Sequence, residues 1–167
     1  LILGPDVVNF SSSVSVAICS TLGRTIPGTC GTGPYTDGRF LLLTPGDDGQ
    51  TRLTDIPHFE HFVGYRRRGN PAVTCHRPKF FFNLETRDRE RKDDDEQFLD
   101  FAPHSDYAMW GGWNFDRTFM RHSLAYWMSR ELGRWAPRNE FVECFVHTAG
   151  EELTMASYLG IYVLMER

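Results

Sequence analysis

The chain has 167 residues and a mass of 19.2 kDa, enough for one domain with a buried core. Hydrophobic residues make up 41% and charged residues 24%, a globular composition that excludes a disordered chain. The net charge of −4 gives no basic excess for nucleic acid, and no apolar run approaches the ~20 residues of a membrane span.

Residues 1–45 are rich in Gly, Ser, Thr and Pro, with strand-like pieces at 13–19 and 39–44. Between them, Gly28 to Pro34 is loop chemistry, in which glycine supplies positive φ and proline ends the element. It is not a phosphate-binding loop, because no Gly-Lys-Ser/Thr follows and no helix opens there. Residues 45–49 read as a turn, and strands are expected over 59–67 and 79–86. Gly69, Asn70 and Pro71 interrupt the pairing between those two strands.

A run of charges fills 88–96. It lacks the alternating ligands and central glycine of a calcium loop, so a solvated connection is expected. Asp116 suits an N-cap and Gly133 a stop, which predicts a helix over about 116–132. Met120, Leu124, Met128 and Leu132 recur every fourth residue, with Trp127 widening a stripe expected to face a sheet. Arg117 and Arg121 lie one turn apart on a different face. Trp110, Trp113, Trp127 and Trp135 are expected in a packed core around that helix.

Two strands close the chain, over 141–147 and 158–166. In the first, Val142, Cys144 and Val146 share one face, and Glu143 lies on the other between Phe141 and Phe145. Such a carboxylate needs a cationic partner if buried, or solvent if it lies at an edge.

Four cysteines show no C-x-x-C and no zinc-like spacing. Cys19 and Cys30 are the pair open to a disulfide in an exported protein, and Cys144 reads as a small buried hydrophobe. His58 and His61 have an H-x-x-H look, but no H-E-x-x-H occurs, and metal ligation is not expected. No G-x-S-x-G elbow is present to support a serine hydrolase.

One constellation points to phosphoryl transfer. Arg68 and Gly69 lie in a loop between strands, Lys79 begins the next strand, Arg121 is on the helix and Glu143 on a later strand. Transfer needs cations on the phosphate, a backbone loop over it and a carboxylate to orient the lysine.

These residues also carry a resemblance. Val7-Val8-Asn9-Phe10, Leu53-Thr54-Asp55, Pro78-Lys79, Leu84 to Asp88, Phe115 to Arg121, Leu132 to Glu143 and Tyr158 to Glu166 resemble the spore-coat protein CotH family. That family consists of secreted, atypical, protein-kinase-like proteins. The resemblance implies an α+β fold: the upper-lobe-like part of an atypical protein-kinase-like fold, mostly antiparallel sheet with one main helix at about 116–132. It implies a single partial domain over 1–167, with a lead-in over 1–45 and the upper lobe over 46–167.

The resemblance also implies ATP and magnesium as cofactors and a protein partner phosphorylated on serine or threonine, with the protein secreted or at the cell or spore surface. The nucleotide-binding set it implies is Arg68, Gly69, Lys79, Arg121, Glu143, Met165 and Glu166. The family's catalytic and metal-binding aspartates fall beyond Arg167, so no residue of this chain is assigned those roles. The chain opens on Leu1 and stops in a strand, which is expected of an incomplete reading frame.

Three departures motivate an alternative. Asn70-Pro71 follows Arg68-Gly69 where the family has serines, Phe80 follows Lys79 where it pairs lysines, and His122 follows Arg121 where it has asparagine. The alternative is a non-catalytic surface or spore-coat module for assembly or adhesion.

Overall fold

The structure, a computed structural model, describes residues 1–27, 33–69, 81–112, 116–148 and 151–167. In chain order its strands are β1 (Ile2–Leu3), β2 (Ser11–Ser12), β3 (Ser15–Ser20), β4 (Thr36–Leu43), β5 (Thr51–Arg52), β6 (Phe59–Arg68), β7 (Phe81–Thr86) and β8 (Asp106–Trp110). The helix α1 (Met120–Glu131) comes next, then β9 (Asn139–His147), β10 (Glu152–Leu153), a 3₁₀ turn at Met155–Ser157 and β11 (Tyr158–Glu166).

The kinase-like upper lobe implied by the resemblance is not what these residues form. Seven strands, in the order β11–β8–β7–β6–β4–β3–β9, close into a barrel, and α1 is a single short helix on its outside among the described residues. The reason lies in what the edge strands find. β11 pairs antiparallel with β9 on one side and with β8 on the other, and β3 pairs parallel with β9, so no edge stays open. The other barrel pairs are antiparallel.

Closure sends alternate side chains inward along every strand. Phe40, Tyr65, Phe82, Tyr107 and Tyr162 fill the interior, with Cys19 and Cys144 between them. Cys19 is thus fully buried, and Cys30 lies outside the described residues. Buried phenols need acceptors, and they find backbone carbonyls: Tyr65 donates to Arg39 at 2.8 Å and Tyr107 to Glu96 at 2.7 Å. Burial pushes the Tyr107 phenol up to about 12. At Gly38 a β-carbon would lie 2.2 Å from the Ser20 carbonyl oxygen, so the β3–β4 approach demands glycine.

The connection from β7 to β8 carries the charge run, most of which is exposed as expected of a solvated segment. Its second half turns inward: Phe98 and Phe101 enter the core and plug one mouth of the barrel. The Phe98 ring lies 4.4 Å from Tyr107, 4.7 Å from Phe59 and 5.8 Å from Phe40, centroid to centroid. On the outer wall, Asp37 gathers Arg24, Arg87 and Arg91 at 3.0–3.4 Å, and Arg87 also meets Glu85 at 2.6 Å. The Tyr35 ring stacks between the Arg66 and Arg87 guanidinium groups.

The helix forms where its pattern predicts, but not in the expected orientation. Met120, Leu124, Trp127 and Met128 are each at least half exposed, and no α1 residue is buried. Ser123, Tyr126, Ser129 and Arg130 are the part-buried positions, with Phe119 buried just before the helix. The wall beneath already carries Trp110, Phe141 and Met165, and Phe119 and Tyr126 pack onto those. Of the tryptophans expected in a core, Trp110 is half-buried, Trp127 and Trp135 are exposed, and Trp113 lies outside the described residues.

Phe98→Ala removes the plug from the aromatic cluster and is expected to lower unfolding free energy by about 3–5 kcal/mol, read by urea denaturation.

Candidate functional site

β6 and β11 run antiparallel across β7 and β8, so Arg68 and Glu166 finish at opposite ends of the barrel. Arg68 closes β6 opposite Phe81, on the outer face beside α1. Burial, then the like charge of Arg167, pull its guanidinium below the ordinary value, while the Tyr126 phenol of α1 opposes them. Gly69 follows at φ 108°, a backbone conformation that favours glycine. Met165 is buried with Ala108, Phe119 and Val163 under the helix.

Glu166 acts as a strap. Its Oε1 accepts the Ala102 N–H at 2.7 Å and its Oε2 the Arg138 N–H at 2.8 Å, tying two loops to the end of β11.

Beside that strap lies a cavity of about 210 Å³ lined by Arg130, Arg138, Arg167, His104, Trp135 and Glu166, among others. Each arginine is held by an oxygen: Arg130 by the Pro137 carbonyl, Arg138 by that of Asp100, and Arg167 by Asp106 Oδ1 at 2.9 Å. Arg130 stands in the last turn of α1, where the helix dipole favours a cation. With Arg167 paired to Asp106, the Arg130 and Arg138 guanidinium groups, each on a neutral carbonyl, still leave the cavity an attractive place for an anion.

Arg121 lies at the start of α1, 78% exposed, with its Nε 3.8 Å from Asp116 Oδ1. Asp116 does cap the helix, from further upstream than the pattern predicts. Its Oδ2 accepts the Arg121 N–H at 2.9 Å, and its Oδ1 the Thr118 hydroxyl at 2.6 Å and N–H at 3.1 Å. The Thr118 hydroxyl, then the two N–H groups and the Arg121 charge, hold this carboxyl below its usual range against the cost of burial.

Glu143 is partnered differently from either expectation. Ser12 Oγ donates to its Oε1 at 3.1 Å and the Tyr158 hydroxyl to its Oε2 at 2.5 Å. Burial first, then this hydrogen bond, push the Tyr158 phenol up. The carboxylate sits between Phe141, which packs on the α1 side, and Phe145, which packs beneath the N-terminal segment. The structure therefore gathers Arg68, Met165 and Glu166 beneath and beside α1, and binds Glu143 to β2. Lys79 lies outside the described residues.

Sequence reasoning passed over Arg130, Arg138 and Arg167. The regular recurrence of Arg130, Arg134 and Arg138 was the available signal, obscured because only the turn at Gly133 folds Arg138 back toward the helix end.

Fold and cavity together define a closed β-barrel protein with a cationic cleft at one end. Residues 65–167, more than half of the chain, match the family model described as CotH kinase protein, and the chain belongs to that family. The family is one of kinase-type proteins. No curated protein matches the chain. No helix among the described residues is long and apolar enough to cross a membrane.

Because the Asp116 pKa is depressed on folding, its contribution to stability is complete above the unfolded value of ~3.9 and disappears as pH falls through the folded value. The melting-temperature gap between wild type and Asp116→Asn is therefore expected to be full at pH 6 and to shrink below pH ~4, as measured by circular dichroism.

Proposed function

We propose that the chain is the nucleotide-holding part of a CotH-type protein kinase, secreted or held at the cell or spore surface. It serves transfer of the ATP γ-phosphate to serine or threonine of a protein partner. What supports the reading is the crowding of the Arg130, Arg138 and Arg167 guanidinium groups around one cavity, with Arg68 within the electrostatic reach of Arg167, all in the family-matched stretch. Guanidinium forks suit phosphate oxygens, and phosphoryl transfer relies on such fixed positive charge.

In this reading Arg68, Gly69, Lys79 and Arg121 meet the phosphates, and Met165 and Glu166 form the edge of the nucleotide cleft. Glu143, tied to Ser12 and Tyr158, acts on the cleft only through the β9–β11 ladder. The cavity's residues fit phosphate. They do not fit magnesium, because Glu166 spends both oxygens on backbone N–H groups.

A fluorescent ATP analogue titrated into the chain with magnesium tests the assignment. Lys79→Ala and Arg121→Ala are each expected to weaken binding about tenfold or more, the effect of losing one charge-assisted hydrogen bond. Unchanged affinity in both variants sinks the assignment. Transfer of radiolabelled phosphate to a protein acceptor tests the activity itself.

A second reading, a non-catalytic assembly or adhesion module of the same family, has its own observation. The outward face of α1 displays Met120, Leu124, Trp127, Met128 and Leu132 to solvent, an apolar stripe of the kind that marks contact surfaces. Failure to bind nucleotide, together with association lost in Trp127→Glu, favours that reading.

A further inference from the structure

At the plugged mouth of the barrel three side chains from distant parts of the sequence converge. His61 comes from β6, and Asp94 and Glu96 come from the acidic connection that leads into the Phe98 plug. One ligand atom from each lies within 4.8 Å of the other two. His61 Nε2 is 3.2 Å from Asp94 Oδ2, and Nδ1 is 3.8 Å from Glu96 Oε1. The Nε2 atom is buried from solvent, and its contact with Asp94 lacks the alignment of a hydrogen bond.

A neutral imidazole with a carboxylate at each ring nitrogen directs one lone pair at an oxygen, a contact that either a second ring proton or a metal cation relieves. Two ligands each ~2.0–2.1 Å from a tetrahedral zinc stand about 3.3 Å apart, close to the Nε2–Oδ2 separation. The surroundings are pre-set. The Asp94 N–H donates to the Thr86 carbonyl at 3.1 Å, and the Thr86 hydroxyl donates to the Asp94 carbonyl at 2.7 Å. Glu96 exchanges backbone hydrogen bonds with His104, and the His61 ring stacks on Phe59.

We propose that His61, Asp94 and Glu96 bind one first-row divalent cation, zinc in preference, which clamps the acidic connection onto the barrel mouth. One nitrogen and two carboxylate oxygens form a borderline donor set that suits zinc or manganese better than calcium, with a fourth position left to water. The ion replaces the uncompensated contact and holds the Phe98 plug in place. The cluster adjoins the cationic cleft without lining it: Glu96 pairs through its backbone with His104, a residue of the cleft wall, while His61, Asp94 and Glu96 stand outside that wall.

Calorimetric titration of the 167-residue chain with zinc chloride, after stripping with EDTA, is the test. The expected result is one zinc per chain, a raised melting temperature, and tryptic cleavage at Arg89, Arg91 and Lys92 slowed several-fold. The double variant Asp94→Asn/Glu96→Gln keeps side-chain shape and is expected to bind zinc at least tenfold more weakly, with His58→Ala unchanged. His61→Gln gives a second reading should the double variant fail to fold. Absence of binding at millimolar zinc, or equal affinity in wild type and the His61→Gln variant, overturns the proposal.

Discussion

The closure of β11 between β8 and β9, completed by the parallel β3–β9 pair, is the constraint on which the rest of the molecule depends. It turns a row of strands into a ring with no unpaired edge, and so assigns every strand residue to the interior or the outside. The interior becomes a stack of tyrosines and phenylalanines closed at one mouth by Phe98 and Phe101. The outside becomes two apolar walls, one covered by the N-terminal segment and one by α1.

The same closure divides the polar residues between the two ends. β6 carries His61 near one mouth and Arg68 at the other. At the His61 end, where antiparallel β11 finishes, Glu166 straps two loops to β11 and leaves guanidinium groups around a small cavity, which is the basis for a phosphate-directed reading of a CotH-family chain. At the same end, the acidic connection folds back along β7 through Thr86 and lays two carboxylates against one imidazole. Charges that look merely solvated along the chain thus become components of two adjoining electrostatic environments of opposite sign.

Local chemistry was legible in the sequence wherever the cause was local. The alternation in β9 correctly places Val142, Cys144 and Val146 on one face, which packs into the barrel core. The helix between Asp116 and Gly133 forms, capped by the Asp116 carboxylate. What misled was the step from pattern to partner. The Met120–Leu124–Met128 stripe has the period of a buried face, yet bulky Trp110 and Phe141 receive Phe119 and Tyr126 instead, and the stripe faces outward. Glu143 looked in need of either a cation or solvent at an edge, whereas two hydroxyls from separate segments satisfy it.

The sequence by itself determined six of the seven barrel strands, the helix after Asp116, its cap and the family, because each rests on short-range spacing or on specific residues in order, whereas β8 went unread. Tertiary structure alone decided that the strands close into a barrel rather than an open lobe, since closure depends on β3 reaching β9 across more than a hundred residues. It alone brought His61 to Asp94 and Glu96, and Arg167 to Arg130 and Arg138, since their separations along the chain carry no period. Hydrogen-bonding edges seek partners wherever the chain offers them, and sequence spacing records only the near ones.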